Sequence, residues 1–68
     1  MAEIAKVIRV IGQSESNFAE AARVAVKEAA KTVRDIRGAH VVEMSAVVEN
    51  DDITVFRTTV DIAFGVER

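Results

Sequence analysis

The 68-residue sequence predicts an α+β fold: a three-stranded antiparallel sheet with β-α-β-β connectivity and strand order 2-3-1, and one helix packed across one sheet face. Three observations support this prediction. An apolar, β-branched run opens the chain, and a segment with apolar residues at spacings of three and four follows it. Two alternating extended segments joined by a polar turn then close the chain.

The first strand is predicted at residues 4–11. Apart from Ala5, Lys6 and Arg9, every residue in this run is apolar and β-branched, which favours extended structure. Gly12 follows directly and is predicted to end the strand.

A helix is predicted next, with Ser14 as its N-cap, because a serine hydroxyl can accept a hydrogen bond from a free N–H group of the first turn. Glu15 would lie at the positive end of the helix dipole. The predicted buried face carries Phe18, Ala22, Ala25, Val26, Ala29 and Val33. The opposite face, with Glu20, Arg23, Lys27, Lys31 and Arg34, is interpreted as solvated surface. Gly38 is predicted to end the helical region.

The second and third strands are predicted from residues of alternating polarity. In residues 40–49 one face would carry His40, Val42, Met44, Ala46 and Val48, and the other Val41, Glu43, Ser45, Val47 and Glu49. Residues 50–52, Asn-Asp-Asp, predict a hairpin turn. Beyond the turn, Phe56, Val60, Ile62, Phe64 and Val66 would share one face, and Val55, Arg57, Thr59, Asp61 and Ala63 the other.

These elements leave one strand order for a fully antiparallel sheet. A first strand followed by a returning helix runs parallel to the second strand, so the third strand must lie between them. One helix then covers one face only, and the second face and both outer strands stay uncovered. The sequence therefore predicts a closed homo-oligomer with a partly charged interface or inner wall.

Composition limits the class of protein. The length predicts one domain, residues 1–68, and the apolar half of the residues indicates a globular chain. A core of this size needs additional stabilisation, and the absence of cysteine excludes disulfides and thiolate metal sites. Self-association is the remaining means of stabilisation.

The net charge and the N-terminal residues indicate which partners to expect. A formal net charge of −2 argues against nucleic-acid binding, which requires a clustered excess of Lys and Arg. An early acid, with Lys6 and Arg9 soon after it, argues against a signal peptide or a membrane span. We therefore expect a cytoplasmic protein that binds neither nucleic acid nor membrane.

The residues give no support for enzyme activity. There is one histidine, no cysteine, and no carboxylate pair placed for general acid and base work. The three glycines stand apart, so no phosphate-binding loop is present. The sequence therefore predicts a protein that is not an enzyme.

The first strand and three further segments resemble the dodecins, which are small flavin-sequestering shells. The further segments are residues 12–18, Gly-Gln-Ser-Glu-Ser-Asn-Phe, leading into an Ala-rich helix; residues 32–36, Thr-Val-Arg-Asp-Ile; and residues 60–64, Val-Asp-Ile-Ala-Phe. The resemblance implies a hollow homododecamer built of trimers, ligand sites between neighbouring subunits, a storage role and no catalysis.

The resemblance also implies ligand positions, two of which are altered. In dodecins a tryptophan just after the helix stacks on the flavin ring, and a glutamine in the last strand hydrogen-bonds its polar edge; the matching positions here hold Gly38 and Arg57. Glu43 matches a position where some flavin-binding relatives carry an acid. One hypothesis is that flavin (FMN, FAD or riboflavin) or another flat or phosphorylated ligand binds at Arg37, Gly38, His40, Glu43 and Arg57.

The alternative hypothesis is an ion-binding or purely structural dodecin that does not bind flavin. Glu43 or Asp61, repeated around a symmetry axis, would bind Ca²⁺ or Mg²⁺ through oxygen. A salt bridge from these carboxylates to Arg57 on the same face is the simpler expectation. A third hypothesis is an interaction module that lends an edge strand to another protein.

Overall fold

The computed structural model describes residues 4–66 of the chain. Four elements follow in order: strand β1 (Ile4–Ser14), helix α1 (Phe18–Ala30), strand β2 (Ile36–Glu49) and strand β3 (Asp52–Val66). Residues 1–3, from the segment read for a signal peptide, lie outside the described residues, as do residues 67 and 68 of the predicted domain. No helix within residues 4–66 is long and apolar enough to cross a membrane.

The sheet has the predicted topology. Its strands lie in the order β1-β3-β2, and β3 pairs antiparallel with both neighbours. The helix α1 packs on one face of this sheet, mainly over β1 and β3. The α+β fold, the strand order and the single covering helix are therefore confirmed.

The core is thin and is built on small helix residues. Ala25 and Ala29 pack against Val60 and Ile62 of β3, and Ala21 is buried as well. Gly12 brings the helix close to β1, because a Cβ atom at this position would overlap the backbone carbonyl of Ala21. Alanines on the helix and a glycine on the strand thus allow the two backbones to approach closely.

The helix begins three residues later than predicted. Ser14 is the last residue of β1, which continues through Gly12, and the N-cap is Asn17, whose side-chain oxygen accepts a hydrogen bond from the N–H of Glu20 at 2.7 Å. The Ser14 hydroxyl instead accepts the N–H of Ser16 at 2.9 Å. Serine and asparagine both cap helices well, so residue type alone did not distinguish Ser14 from Asn17 as the N-cap.

The end of the helix was also predicted too late. The helix stops at Ala30, and β2 already begins at Ile36, so Gly38 is a strand residue and not a helix terminator. The chain reverses at Asp35, which has a positive φ of 61° and whose carbonyl accepts the N–H of Gly65 at 3.0 Å. Aspartate tolerates this left-handed conformation better than most residues.

A bulge in β2 changes which residues face the helix. The pairing with β3 shifts between Val41 and Glu43, so that His40 lies opposite Asp61 and Val41 opposite Val60. Directly opposed residues share a sheet face, and an extra residue reverses the alternation on one side of the bulge. The predicted faces of His40 and Val41 are therefore wrong: His40 shares a face with Asp61, and Val41 shares a face with buried Val60.

The hairpin turn is confirmed. The loop consists of Asn50 and Asp51, with φ of 53° and 64°, and Asp52 is already the first residue of β3. Two consecutive residues with positive φ are typical of the two-residue type I′ turn, which matches the twist of the two strands.

Candidate functional site on the open sheet face

The sheet face opposite α1 carries most of the predicted site residues, and we call it the open face. In β3 its members alternate with Thr58, Val60 and Ile62, which are buried beneath the helix. The pairing register then assigns the neighbouring residues of β1 and β2. The open face comprises Val7, Arg9, Ile11 and Gln13 of β1, Arg57, Thr59, Asp61 and Ala63 of β3, and Gly38, His40, Glu43 and Ser45 of β2.

Arg9 and Asp61 form a two-pronged ion pair across β1 and β3. Arg9 donates from Nε to Oδ1 of Asp61 at 2.7 Å and from Nη2 to Oδ2 at 3.1 Å. The Asp61 side chain is 24% exposed and the Arg9 side chain 61%. The predicted pairing of Asp61 with Arg57 is therefore wrong, because the register places Arg9, not Arg57, directly opposite Asp61.

The ion pair sets the protonation of both groups. The hydrogen bond from Arg9 lowers the pKa of Asp61, against partial burial, which acts in the opposite direction; the charges of Arg9 and His40 lower it further. The same hydrogen bond raises the pKa of Arg9, and the charge of Glu43 contributes. Asp61 is thus ionised at neutral pH, and the positive charge of Arg9 balances its negative charge.

Glu43 is the second carboxylate of this face, and its situation differs. It lies opposite Thr59, is exposed, and makes no hydrogen bond or ion pair within residues 4–66. His40, two register positions away beside Asp61, is also exposed. Glu43 is therefore the carboxylate of the open face that remains available to a ligand or to another copy of the chain.

Arg57 belongs to a polar row further along the strands. It lies opposite Gln13 of β1 and Ser45 of β2, and its Nε donates to Oε1 of Gln13 at 3.5 Å, the upper limit for such a bond. Arg57 is exposed. The row offers guanidinium, amide and hydroxyl groups to solvent.

Gly38 and Arg37 lie at the other end of β2, at a second register shift. Gly38 faces Ala63 and is exposed, and a Cβ atom placed on it would meet nothing within 4 Å. Arg37 is held against Asp35, with Nη2 2.9 Å from Oδ2. The predicted ligand site around these two residues therefore consists of open space at Gly38 and, next to it, the ion pair between Arg37 and Asp35.

Neither a stacking surface nor a complete metal site forms on this face within one described chain. The three phenylalanines lie elsewhere: Phe18 is on the helix, its ring 5.0 Å from that of Phe56, and Phe56 and Phe64 alternate with the open-face residues of β3. Among residues 4–66 no three His, Asp or Glu side chains are grouped closely enough to hold a metal ion. Glu43 and Asp61, both predicted as ligands, do not form such a group.

Sequence reasoning missed two polar residues of the open face. Arg9 was assigned only to the first strand and Gln13 only to the segment that leads into the helix, yet they pair with Asp61 and Arg57. The alternation of β1 placed Arg9 on one face, but the register that selects its partner depends on the whole β1–β3 ladder.

The family follows from comparison with known proteins. The dodecin family model matches residues 4–67, nearly the whole chain. This chain belongs to the dodecin family. A curated relative of this dodecin, the calcium dodecin of Mycobacterium tuberculosis, is 36% identical over 59 residues, which is 87% of this chain and 83% of that protein.

Solved dodecins share the fold. The dodecin of Streptomyces davaonensis superimposes with a TM-score of 0.95 over the full length of both chains at 19% identity. The crystal structure of the calcium dodecin of M. tuberculosis, described as a calcium-chelating antigen with a novel calcium-binding site, gives a TM-score of 0.82 at 33% identity, over 94% of this chain and 91% of that one.

Proposed function

We propose that this dodecin forms a closed cytoplasmic shell of about twelve single-domain subunits that binds a divalent cation, Ca²⁺ in preference to Mg²⁺, without catalysing a reaction. The observation that carries the proposal is the state of Glu43, an exposed carboxylate that makes no hydrogen bond or ion pair within residues 4–66, on a face that carries no phenylalanine among the described residues.

Calcium fits the donor chemistry of the open face. It takes about six to eight oxygen ligands and tolerates varied geometry. One Glu43 supplies two oxygens, so a site would need carboxylates from several copies around a symmetry axis, with water completing it. The relationship to a protein named calcium dodecin, at 36% identity, supports this choice of ion.

The two candidate carboxylates would have different roles. Asp61 already accepts two hydrogen bonds from Arg9, which would have to be broken before it could bind an ion. Glu43 has no such bond among the described residues. We therefore assign the ligand role to Glu43, and to Asp61 the role of fixing Arg9 in the wall of the shell.

Flavin receives less support from this geometry. Gly38 presents no surface for the ring to stack on. Arg57 only donates hydrogen bonds, whereas the glutamine of flavin-binding dodecins both donates and accepts. The space at Gly38 is nevertheless large enough for a side chain, which makes a restored flavin site a useful comparison.

The proposal is tested by melting protein that has been freed of metal with a chelator. An ion that binds only the assembled form stabilises it by RT ln(1 + [L]/Kd), which is about 2.7 kcal/mol for each independent site at one hundred times Kd. We expect millimolar Ca²⁺ to raise the Tm more than NaCl of equal ionic strength does, and calorimetric titration to give saturable binding.

Two carboxylate variants provide the matched comparison. Glu43→Gln should remove the Ca²⁺-specific rise, whereas Asp61→Asn should retain it. No Ca²⁺-specific rise in the parent protein would overturn the proposal, and loss of the rise in Asp61→Asn alone would move the ligand role from Glu43 to Asp61.

Riboflavin fluorescence tests flavin, the alternative ligand. The parent chain should leave the fluorescence nearly unquenched, while Gly38→Trp combined with Arg57→Gln should quench it strongly, since the indole restores the stacking surface. Tight, quenched binding by the parent would favour flavin over Ca²⁺ as the ligand.

A further inference from the structure

The β2–β3 hairpin extends beyond the rest of the sheet. The ladder between β1 and β3 ends at the pair Ser14 and Phe56, while β2 and β3 continue to pair as far as Glu49 and Asp52. Residues 47–55 thus form a two-stranded projection, which we call the hairpin arm. Two-stranded hairpins are marginally stable alone in water, so the arm calls for a packing partner.

The surface of the arm combines apolar and acidic groups. Val48 is 61% exposed and Ile53 46% exposed. Glu49, Asp51 and Asp52 are also exposed, and residues 47–55 include no Lys or Arg. A partner for the arm should therefore offer an apolar floor bordered by positive charge.

The outer surface of α1 has these properties. An open groove of about 300 Å³ is lined by Ala22, Arg23, Val26 and Lys27. Ala22 and Val26 supply the apolar floor. Nη1 of Arg23 lies 3.7 Å from Oε1 of Glu20, which is a long ion pair between two exposed side chains. Lys27 makes no ion pair within residues 4–66.

The arm cannot fill the groove of its own chain. Phe18, at the start of α1, contacts Phe56 at the base of the arm, and the helix then runs away from the arm, since Ala29 packs with Val60 and Ile62. Asp52 lies about 13 Å beyond Phe56 in the opposite direction, at about 3.3 Å per strand residue. Any occupant of the groove is therefore a second molecule.

We propose that the hairpin arm of one copy docks in the α1 groove of a neighbouring copy, with Val48 and Ile53 on the apolar floor and the acids of the tip beside Arg23 and Lys27. The inference rests on the self-assembly in the proposed function and goes beyond it by naming the two contacting surfaces. A second copy is favoured over another protein because the same chain carries both complementary surfaces in equal number.

Cysteine cross-linking tests the contact directly, because the native chain has no cysteine. Ala22→Cys combined with Ile53→Cys should give disulfide-linked chains on mild oxidation, visible on a non-reducing gel. The matched control replaces Glu28, which is exposed on α1 but does not line the groove, with cysteine beside Ile53→Cys. Equal cross-linking in the control, or none in the Ala22→Cys variant, would overturn the docking.

Charge reversal gives a second, independent test. One variant carries Arg23→Glu and Lys27→Glu, and the other carries Glu49→Lys and Asp52→Lys. Each alone should raise the concentration at half-assembly by at least about tenfold, because like charges then oppose each other. Combining all four substitutions in one chain should restore assembly, since every arm then meets a groove of opposite charge. Full assembly of either double variant alone, or no recovery in the fourfold variant, would contradict the proposal.

These outcomes separate the docking from the proposed function. A Ca²⁺-stabilised oligomer that fails to cross-link would remove the arm contact and leave the ion-binding proposal intact. A cross-linked oligomer without a Ca²⁺-specific rise in Tm would remove the ion-binding proposal and leave the arm contact intact.

Discussion

Gly12 and Gly38 are both strand glycines, yet their surroundings are opposite. Gly12 lies under α1, where a Cβ atom would overlap the carbonyl of Ala21, and Gly38 faces open space. Neither has a positive φ. The first glycine therefore sets the distance between helix and sheet, while the second lies beside open space.

This contrast gives a stability prediction at the residue scale. Gly12→Ala should lower the free energy of unfolding by about 1–3 kcal/mol, because the helix must move away from β1 to accept the methyl group. Gly38→Ala should be neutral or stabilising by up to about 1 kcal/mol, since alanine restricts the unfolded chain more than glycine does. Urea unfolding at one fixed protein concentration measures both, and equal effects would contradict the close packing at Gly12.

The Arg9–Asp61 pair predicts a pH dependence. Its hydrogen bond holds the pKa of Asp61 below the ordinary value of 3.8, so the pair stabilises the folded chain above that pH and ceases to do so as pH falls through the lowered pKa. Asp61→Asn should therefore lower the Tm near neutral pH, and its difference from the parent should shrink below about pH 4. The effect should be small, since surface ion pairs contribute little.

A matched variant distinguishes the ion pair from general charge effects. Glu15→Gln removes an exposed carboxylate that has no ion pair within residues 4–66. The Tm difference between Glu15→Gln and the parent should not shrink on acidification as the difference for Asp61→Asn does. A constant difference between Asp61→Asn and the parent down to pH 3 would contradict the role given to the pair.

At the scale of elements, the sequence predicted the three strands, the helix, the hairpin and the strand order, because apolar periodicity and turn residues encode these features locally. It did not predict the extra residue near Val42 that turns His40 toward the open face, nor the partner of Asp61. Both depend on the register of long ladders, and a period-two pattern alone does not report where a bulge interrupts it.

The start of α1 gives a prediction that separates the two cap assignments. Asn17→Ala should cost about 1 kcal/mol, because the N–H of Glu20 loses its acceptor. Ser14→Ala should cost less, since Ser14 bonds only to the exposed N–H of Ser16. Chemical denaturation of the two variants decides between them. A larger loss for Ser14→Ala would restore the assignment made from sequence.

At the scale of the whole molecule, the described chain leaves much apolar surface uncovered. Its buried apolar core consists of five residues, three of them alanine, whereas seven large apolar side chains are exposed. Val7 and Ile11 lie on the open face, and Val48 and Ile53 lie on the hairpin arm. Monomeric proteins seldom expose this much apolar surface, which supports the proposal that contacts between copies supply much of the stabilising burial.

Assembly and folding should therefore be coupled, which gives the last prediction. If the folded chain is stable only in the oligomer, mass action requires the Tm to increase with protein concentration, by roughly a few degrees for each tenfold step. Calorimetry over a hundredfold concentration range measures this, and light scattering on the same samples should give a mass near twelve subunits. A stable monomer with a concentration-independent Tm would show that the thin core under α1 suffices alone, and would remove the basis for both the shell and the docking of the arm.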